Sequence, residues 1–182
     1  EVEALLPQPN NANFRSSPVY TYQLGSTGGD VTEAQPVAAE TNRFDASRVE
    51  TGTETGSFRA PRVKVDFSAE GTGEGDVTVG RYAGRPFEAG TVNQENVSSY
   101  YVRLTVDNAG SEDVIGDSSR VRFDVSALPG VSDPQSVTVY QRETPDAGPF
   151  TALPTTYETG ANELVARGVS TPGEFVFASN TD

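Results

Sequence analysis

Two neighbouring stretches carry the strongest structural signal in this sequence: Ser119-Arg-Val-Arg-Phe-Asp-Val-Ser126 and Ser136-Val-Thr-Val-Tyr-Gln-Arg142. In the first, valine and phenylalanine alternate with arginine, aspartate and serine. In the second, valine and glutamine alternate with threonine, tyrosine and arginine. A hydrophobic period of two is typical of a β-strand with one buried face. The two stretches therefore predict antiparallel β-structure at the centre of the fold.

Further segments of the same kind surround these two, and the segments from residue 119 onward follow one another at a spacing of roughly 10 to 16 residues, which is typical of a β-sandwich. The further segments are residues 58–67, 76–82, 99–107, 150–157, 163–167 and 174–178. Residues 159–162 fit a hairpin turn, and residues 126–128 fit a single helical turn. No segment has a sustained helical period. We predict an all-β fold, an antiparallel β-sandwich of the Ig-like or jelly-roll-like type, with an extended N-terminal arm.

The first 57 residues have a different composition. Glu1–Leu6 is a short apolar hook, and Pro18-Val-Tyr-Thr-Tyr-Gln-Leu24 has the alternation of an isolated strand. Residues 25–57 contain few large apolar side chains, which is typical of a loop or linker. We therefore predict an arm and linker over residues 1–57, with a candidate donor strand at residues 18–24, and the sandwich over residues 58–182.

The arm is the candidate assembly element. A strand of this kind can add to an exposed sheet edge of another subunit, as in donor-strand complementation. Such a head-to-tail contact produces a homopolymeric filament. The alternative is that the same strand pairs with its own sandwich. The residues expected at the contact are Val2, Leu5, Leu6, Val19, Tyr20, Tyr22 and Leu24.

The composition excludes several kinds of chemistry. The chain has no Cys and no His, which rules out disulfides, thiolate or imidazole metal sites and any catalytic triad with a His base. It also has no Trp and no catalytic carboxylate signature, so we expect no enzymatic activity.

The charge of the chain bears on its partners. A formal net charge of −13 disfavours nucleic-acid binding, because phosphate contacts need clustered Lys and Arg. The small basic clusters are expected to form salt bridges on solvent-facing strands instead. They are Arg120 with Arg122, and Arg59 with Arg62 and Lys64.

We expect an exported protein. Met is absent although translation begins with it, so the chain starting at Glu1 reads as a processed product, most simply after removal of a secretory signal. There is no run of about 18 apolar residues, so we expect no membrane span. The expected location is secreted, extracellular or at the cell surface.

An acidic loop is a candidate site for Ca²⁺. We expect no other cofactor. The oxygen ligands of the site would be Asp107, Asn108, Glu112, Asp113 and Asp117. Their spacing fits no EF-hand, and in so acidic a chain such a cluster is more often solvated surface. The tyrosines also have two possible roles. Their rings could stack on a polysaccharide, or they could pack across neighbouring strands, and we expect packing.

Several segments of the sequence resemble one known module. They are Gly80–Tyr82, Asn96–Tyr101, Val121–Gly130, Val137–Tyr140, Phe150–Tyr157, Asn162–Ala166 and Gly173–Ser179. Over about residues 60–182 the chain resembles the β-sandwich module that precedes the C-terminal sorting domain in proteins secreted by the type IX system of Bacteroidetes and Rhodothermus-like bacteria. The resemblance implies an accessory module delivered to the cell surface, whose sorting domain would begin near Asp182 and is cleaved on export. The arm matches no part of it.

These observations lead to one hypothesis about function and two alternatives. We expect a secreted structural protein, the subunit of an extracellular filament or surface fibre that assembles by donor-strand exchange of its N-terminal arm. The first alternative is an extracellular module for carbohydrate- or calcium-dependent adhesion. The second is a passive domain of a larger secreted enzyme.

Overall fold

The strands form two antiparallel sheets. A computed structural model describes residues 34–45, 54–68, 74–86, 92, 97–107, 115 and 119–179. The strands are β1 (Ala38–Asp45), β2 (Glu54–Phe58), β3 (Val63–Phe67), β4 (Glu74–Ala83), β5 (Tyr100–Asp107), β6 (Ser119–Asp124), β7 (Val137–Arg142), β8 (Thr151–Ala152), β9 (Thr155–Glu158), β10 (Glu163–Val169) and β11 (Gly173–Ser179). One sheet has six strands in the order β1-β4-β5-β11-β7-β8, and the other has five in the order β2-β3-β6-β10-β9. The predicted all-β sandwich is confirmed.

The core lies between the two sheets and follows the predicted alternation. In β6, Ser119, Val121 and Phe123 are buried, and the residues between them are half-buried. The Phe123 ring lies 5.5 Å from the ring of Phe175 and 5.0 Å from that of Phe177, both in the other sheet. Burying a side chain of this size contributes about 1.5–3 kcal/mol. The central strands therefore hold the sheets face to face.

Strand β11 is buried on both faces. Phe175 and Phe177 belong to the core between the sheets. Glu174 and Val176 alternate with them and lie on the outer face, yet neither is more than 1% exposed. Val176 packs there with Tyr101 in a second apolar cluster. An antiparallel sheet commonly leaves its outer face to water, so the covered outer face is a particular feature of this sandwich.

The interpretation of residues 25–57 as loop or linker is wrong for two segments, because β1 lies within this range and β2 begins within it. The only large apolar side chain of β1, Phe44, packs against Phe58 and Phe67 with ring centroids 6.1 and 4.3 Å apart. Gly56 makes room for this ring, since a Cβ there would lie 2.5 Å from Phe44 Cζ. β1 therefore packs on the core through one phenylalanine, for which one glycine of β2 makes room. It lacks the apolar alternation from which a strand is predicted.

Residues 58–67, predicted as a single strand, are divided by a turn. Phe58 ends β2, the chain turns through Arg59–Arg62, and β3 begins at Val63. Arg62 has a left-handed φ of 59°, which reverses the chain. The Pro61 ring also removes a backbone donor that a continuous strand would use.

Residues 150–157 are likewise divided, and the two parts belong to different sheets. β8 joins the six-stranded sheet and β9 joins the five-stranded sheet. The chain passes between the sheets at Leu153-Pro154, where the proline has no N–H for a strand ladder. Alternation along the sequence continues through such a crossing and does not reveal it.

Both predicted turns are confirmed. Residues 126–128 overlap a 3-10 turn at Val125–Ala127, where the Asp124 carboxylate accepts a hydrogen bond from Ser126 N at 2.9 Å. Residues 159–162 close the hairpin between β9 and β10, and Asn162 has a left-handed φ of 57°. Asparagine tolerates this conformation better than most residues.

Candidate functional site

Of the site residues predicted from the sequence, one lies within the described residues. Asp107 ends β5 and is exposed. The other candidate calcium ligands and all the arm residues lie outside the described residues; they are Asn108, Glu112, Asp113, Asp117, Val2, Leu5, Leu6, Val19, Tyr20, Tyr22 and Leu24. Within the described ranges, no three His, Cys, Asp or Glu residues are placed to hold a metal ion. The calcium site and the docking arm stay predictions.

The sheet edges formed by β1 and β2 are bridged by polar side chains. The Glu40 carboxylate accepts a hydrogen bond from Ala60 N at 2.9 Å. Asn42 Nδ2 donates to the Ser57 carbonyl at 3.3 Å. By the two-residue period, Glu40 and Asn42 lie on the same face of β1 as the buried Phe44. Inward-facing polar side chains on an edge strand oppose the addition of a further strand.

The opposite side of the sandwich is closed by the crossing from β8 to β9, but only over a short length. Leu153 N donates to Val139 O at 2.9 Å, and Arg167 N donates to Pro154 O at 3.0 Å. β8 pairs with two of the six residues of β7. β9 pairs with four of the seven residues of β10. Both inner strands therefore extend beyond their edge neighbours.

A buried carboxylate links three adjacent strands on the outer face of the six-stranded sheet. Glu174 of β11 lies opposite Arg103 of β5 and Arg142 of β7. Arg103 Nε donates to Glu174 Oε1 at 2.5 Å, and Arg142 Nε donates to Glu174 Oε2 at 2.6 Å. Glu174 is fully buried and Arg142 is 1% exposed. The charges of this buried cluster compensate one another away from water.

Residues 143–150, which we call the clasp loop, fold over this cluster. At the tip, Asp146 has a left-handed φ of 60°, and its carboxylate oxygens accept from Arg103 Nη2 at 2.8 and 2.7 Å. Asp146 N donates to Glu174 Oε2 at 3.2 Å. The Phe150 ring centroid lies 4.8 Å from the guanidinium carbon of Arg142. The clasp loop is thus tied to β5, β7 and β11.

Tyrosine side chains pack on the same outer face. Tyr82 of β4 lies opposite Tyr101 of β5, and their rings stack with centroids 5.0 Å apart. The guanidinium carbon of Arg103 lies 5.2 Å from one ring and 5.6 Å from the other. Burial raises the pKa of the Tyr101 hydroxyl to about 12, against the opposing effect of the Arg103 charge. This pair is engaged in the cross-strand packing that the sequence predicted.

Salt bridges cover the outer face of the five-stranded sheet. Arg122 Nε donates to Asp66 Oδ2 at 2.8 Å, and its Nη1 donates to Glu158 Oε2 at 2.9 Å. Lys64 Nζ donates to Glu163 Oε1 at 2.6 Å. The hydrogen bond with Asp66 raises the pKa of the Arg122 guanidinium, although partial burial opposes this. The prediction of salt bridges is confirmed for Lys64 and Arg122, and also for Arg62, whose Nη1 lies 3.5 Å from Asp124 Oδ2.

The fold defines the class of this protein, an antiparallel β-sandwich of two sheets. Comparison with known proteins gives no match to a family model, a curated protein or a solved structure. Among the described residues, no helix is long and apolar enough to cross a bilayer. The resemblance to the module of type IX-secreted proteins stays a prediction, and the functional argument depends on the contacts above.

Replacing Glu174 with alanine is expected to lower the free energy of unfolding by about 3–5 kcal/mol, because the buried Arg142 loses its nearest counter-charge. Urea denaturation followed by circular dichroism measures this loss. The matched control is Glu158→Ala, whose side chain is 39% exposed and whose bridge to Arg122 is worth about 0.2–1 kcal/mol. Equal losses in the two variants would contradict the role given to the buried cluster.

Tyr101 is expected to ionise near pH 12 in an alkaline titration followed by tyrosinate absorbance. The folded protein holds this proton more tightly than the unfolded chain, in which the pKa of tyrosine is about 10. The resulting stabilisation is complete below about pH 10 and is lost as the pH rises to about 12. Tyr101→Phe should remove the late step, whereas the control Tyr157→Phe should keep it. A late step that survives in Tyr101→Phe would assign it to another tyrosine.

Proposed function

We propose that this protein is a secreted structural protein, the subunit of an extracellular filament or surface fibre. The N-terminal arm of one copy adds a strand to the sandwich of the next, and the contact repeats head to tail. One observation carries the proposal: each sheet ends in two edge strands, and within the described residues none of these four has a strand on its outer side. Strand edges of this kind are templates for strand addition. Export to the cell surface is what the resemblance to the type IX module implies.

Residues 18–24 have the properties that strand addition requires. Large side chains recur at Tyr20, Tyr22 and Leu24, and the segment contains no charged residue. In a chain with a net charge of −13, an uncharged strand avoids the repulsion that an acidic segment would meet. Main-chain hydrogen bonds supply the affinity of such contacts, and alternate side chains supply the specificity.

The connection between this segment and the sandwich is shorter than the composition suggests. β1 begins at Ala38, so residues 25–37 separate Leu24 from the first strand among the described residues. Fully extended, this connection spans roughly 45–50 Å. Neighbouring strands lie about 4.8 Å apart, so the arm is long enough to reach a second sandwich that lies against the β1 edge.

Carbohydrate-dependent adhesion, the alternative function, has less support. A stacking site for sugars needs aromatic faces that a ligand can reach. Tyr101 is 2% exposed, and its ring is stacked on that of Tyr82. The packing of Tyr82 and Tyr101 therefore favours a structural role over a sugar-binding one.

Deletion of residues 1–26 is expected to abolish polymerisation and to leave the sandwich folded, because the deleted segment contains the donor strand and none of the core residues described above. Light scattering and negative-stain electron microscopy measure polymerisation, and circular dichroism with thermal unfolding measures folding. Fibres that form unchanged from the deleted chain would refute the proposal.

A pair of single substitutions tests the same contact in the intact chain. Tyr22→Asp adds a charge to the face that carries Tyr20 and Leu24, whereas Thr21→Asp adds the same charge to the opposite face of the strand. We expect Tyr22→Asp to weaken assembly at least about tenfold, because burying an unpaired charge costs more than about 1.4 kcal/mol. Equal weakening by Thr21→Asp would indicate a general effect of charge and would contradict docking through one face.

A further inference from the structure

We propose that the arm of a neighbouring copy binds in a cleft beside β8, on the side of the sandwich opposite β1 and β2. This inference rests on the proposed function and adds the site at which the donated strand is accepted. The cleft has a volume of about 450 Å³ and lies between the end of β7, the clasp loop, β8 and the turn after β10.

Small residues leave room in the cleft for an incoming backbone. Ala147 and Gly148 of the clasp loop and Gly168 of β10 belong to its lining. Gly148 has a φ of 85° and Gly168 a φ of 72°, and a Cβ added to either glycine would meet no atom within 4 Å. Glycine at such positions permits close approach of another backbone.

The strands beside the cleft offer backbone for pairing. β9 pairs with β10 from Glu163 to Ala166, so no described strand lies beside Gly168 and Val169 on that side. β8 pairs with β7 on one side, and on its other side no described strand pairs with it. A strand that enters the cleft can therefore extend the six-stranded sheet beyond β8.

The other side of the sandwich is a poorer acceptor. The Ser57 carbonyl of β2 already accepts from Asn42, and the Ala60 N–H already donates to Glu40. A strand added along β2 would compete with both hydrogen bonds. Each of these exposed hydrogen bonds contributes about 0.5–1.5 kcal/mol, so their displacement opposes docking there.

The position of the cleft favours exchange between copies. β1, which follows the arm in the chain, and β8 are the two opposite edges of the six-stranded sheet. Five strand spacings, or about 24 Å, separate them. When the β8 edge of one copy lies against the β1 edge of another, the arm of the second copy starts beside the cleft of the first. Repetition of this contact adds copies along a line, which is the geometry of an open filament.

Asparagine substitutions at the cleft glycines test the proposal in the full chain of 182 residues. Asparagine tolerates a left-handed backbone better than most residues, so Gly148→Asn and Gly168→Asn add a side chain in open space with less backbone strain than most substitutions would cause. Gly84→Asn is the matched control, because Gly84 has a φ of 94°, a Cβ there also meets no atom within 4 Å, and it lies outside the cleft. Thermal unfolding establishes that all three variants are folded.

Light scattering over a concentration series measures assembly, and hydrogen exchange of residues 151–153 and 168–170 reports on the cleft. We expect the unsubstituted chain to assemble and to protect these amides increasingly as its concentration rises. Gly148→Asn and Gly168→Asn should need at least about tenfold higher concentration to assemble, a difference of about 1.4 kcal/mol. Gly84→Asn should assemble like the unsubstituted chain.

Three other outcomes are informative, and each would contradict a different part of the proposal. Equal assembly of the cleft variants and the control overturns the cleft as acceptor and leaves the proposed function in place. Protection of the cleft amides that does not change with concentration indicates that the arm pairs within its own copy, which overturns exchange. An unsubstituted chain that is monomeric at every concentration overturns the proposed function, and the acceptor site with it.

Discussion

The burial of β11 on both faces is the constraint on which the rest of the structure depends. Phe175 and Phe177 require the five-stranded sheet on one side, and Val176 requires an apolar cover on the other. Glu174 lies in the same buried strand, so its charge has to be compensated by groups that are buried with it. The neighbouring strands β5 and β7 each supply an arginine directly opposite this carboxylate.

The same cluster shapes the surface beside β8. Asp146 binds Arg103, and the clasp loop that carries it runs over the end of β7. One side of this loop covers the buried carboxylate, and its residues Ala147 and Gly148 line the cleft. Contacts that compensate a charge inside the sheet therefore also fix one wall of the proposed acceptor. The clasp loop thus connects the buried charged cluster with the proposed assembly surface.

The sequence predicted the strands whose apolar alternation is carried by large side chains. β6 and β7 are of this kind, and the structure has them where the period of two places them. β1 could not be predicted in this way, because Phe44 is its only large apolar residue and Glu40 and Asn42 make polar contacts instead. The division of residues 150–157 between two sheets leaves no mark in the alternation, since the side chains alternate in both parts.

The charged cluster was not predictable either. A period of two assigns Glu174 and Arg142 to an outer face that is commonly solvated in antiparallel sheets, and nothing in the local sequence shows that this face is covered. Asp146 lies 28 residues from Glu174 in the chain and reaches it only through the fold of the clasp loop. The expected packing role of Tyr82 and Tyr101 is confirmed, because the strand register of β4 and β5 places them opposite each other.

Addition of one copy's arm to the sandwich of the next is the central claim of this account. Cryo-electron microscopy of the purified chain at high concentration tests it most directly. The account predicts fibres with one sandwich per repeat and with density for an added strand in the cleft beside β8. Separate single sandwiches at every concentration, or fibres that leave this cleft empty, would contradict it.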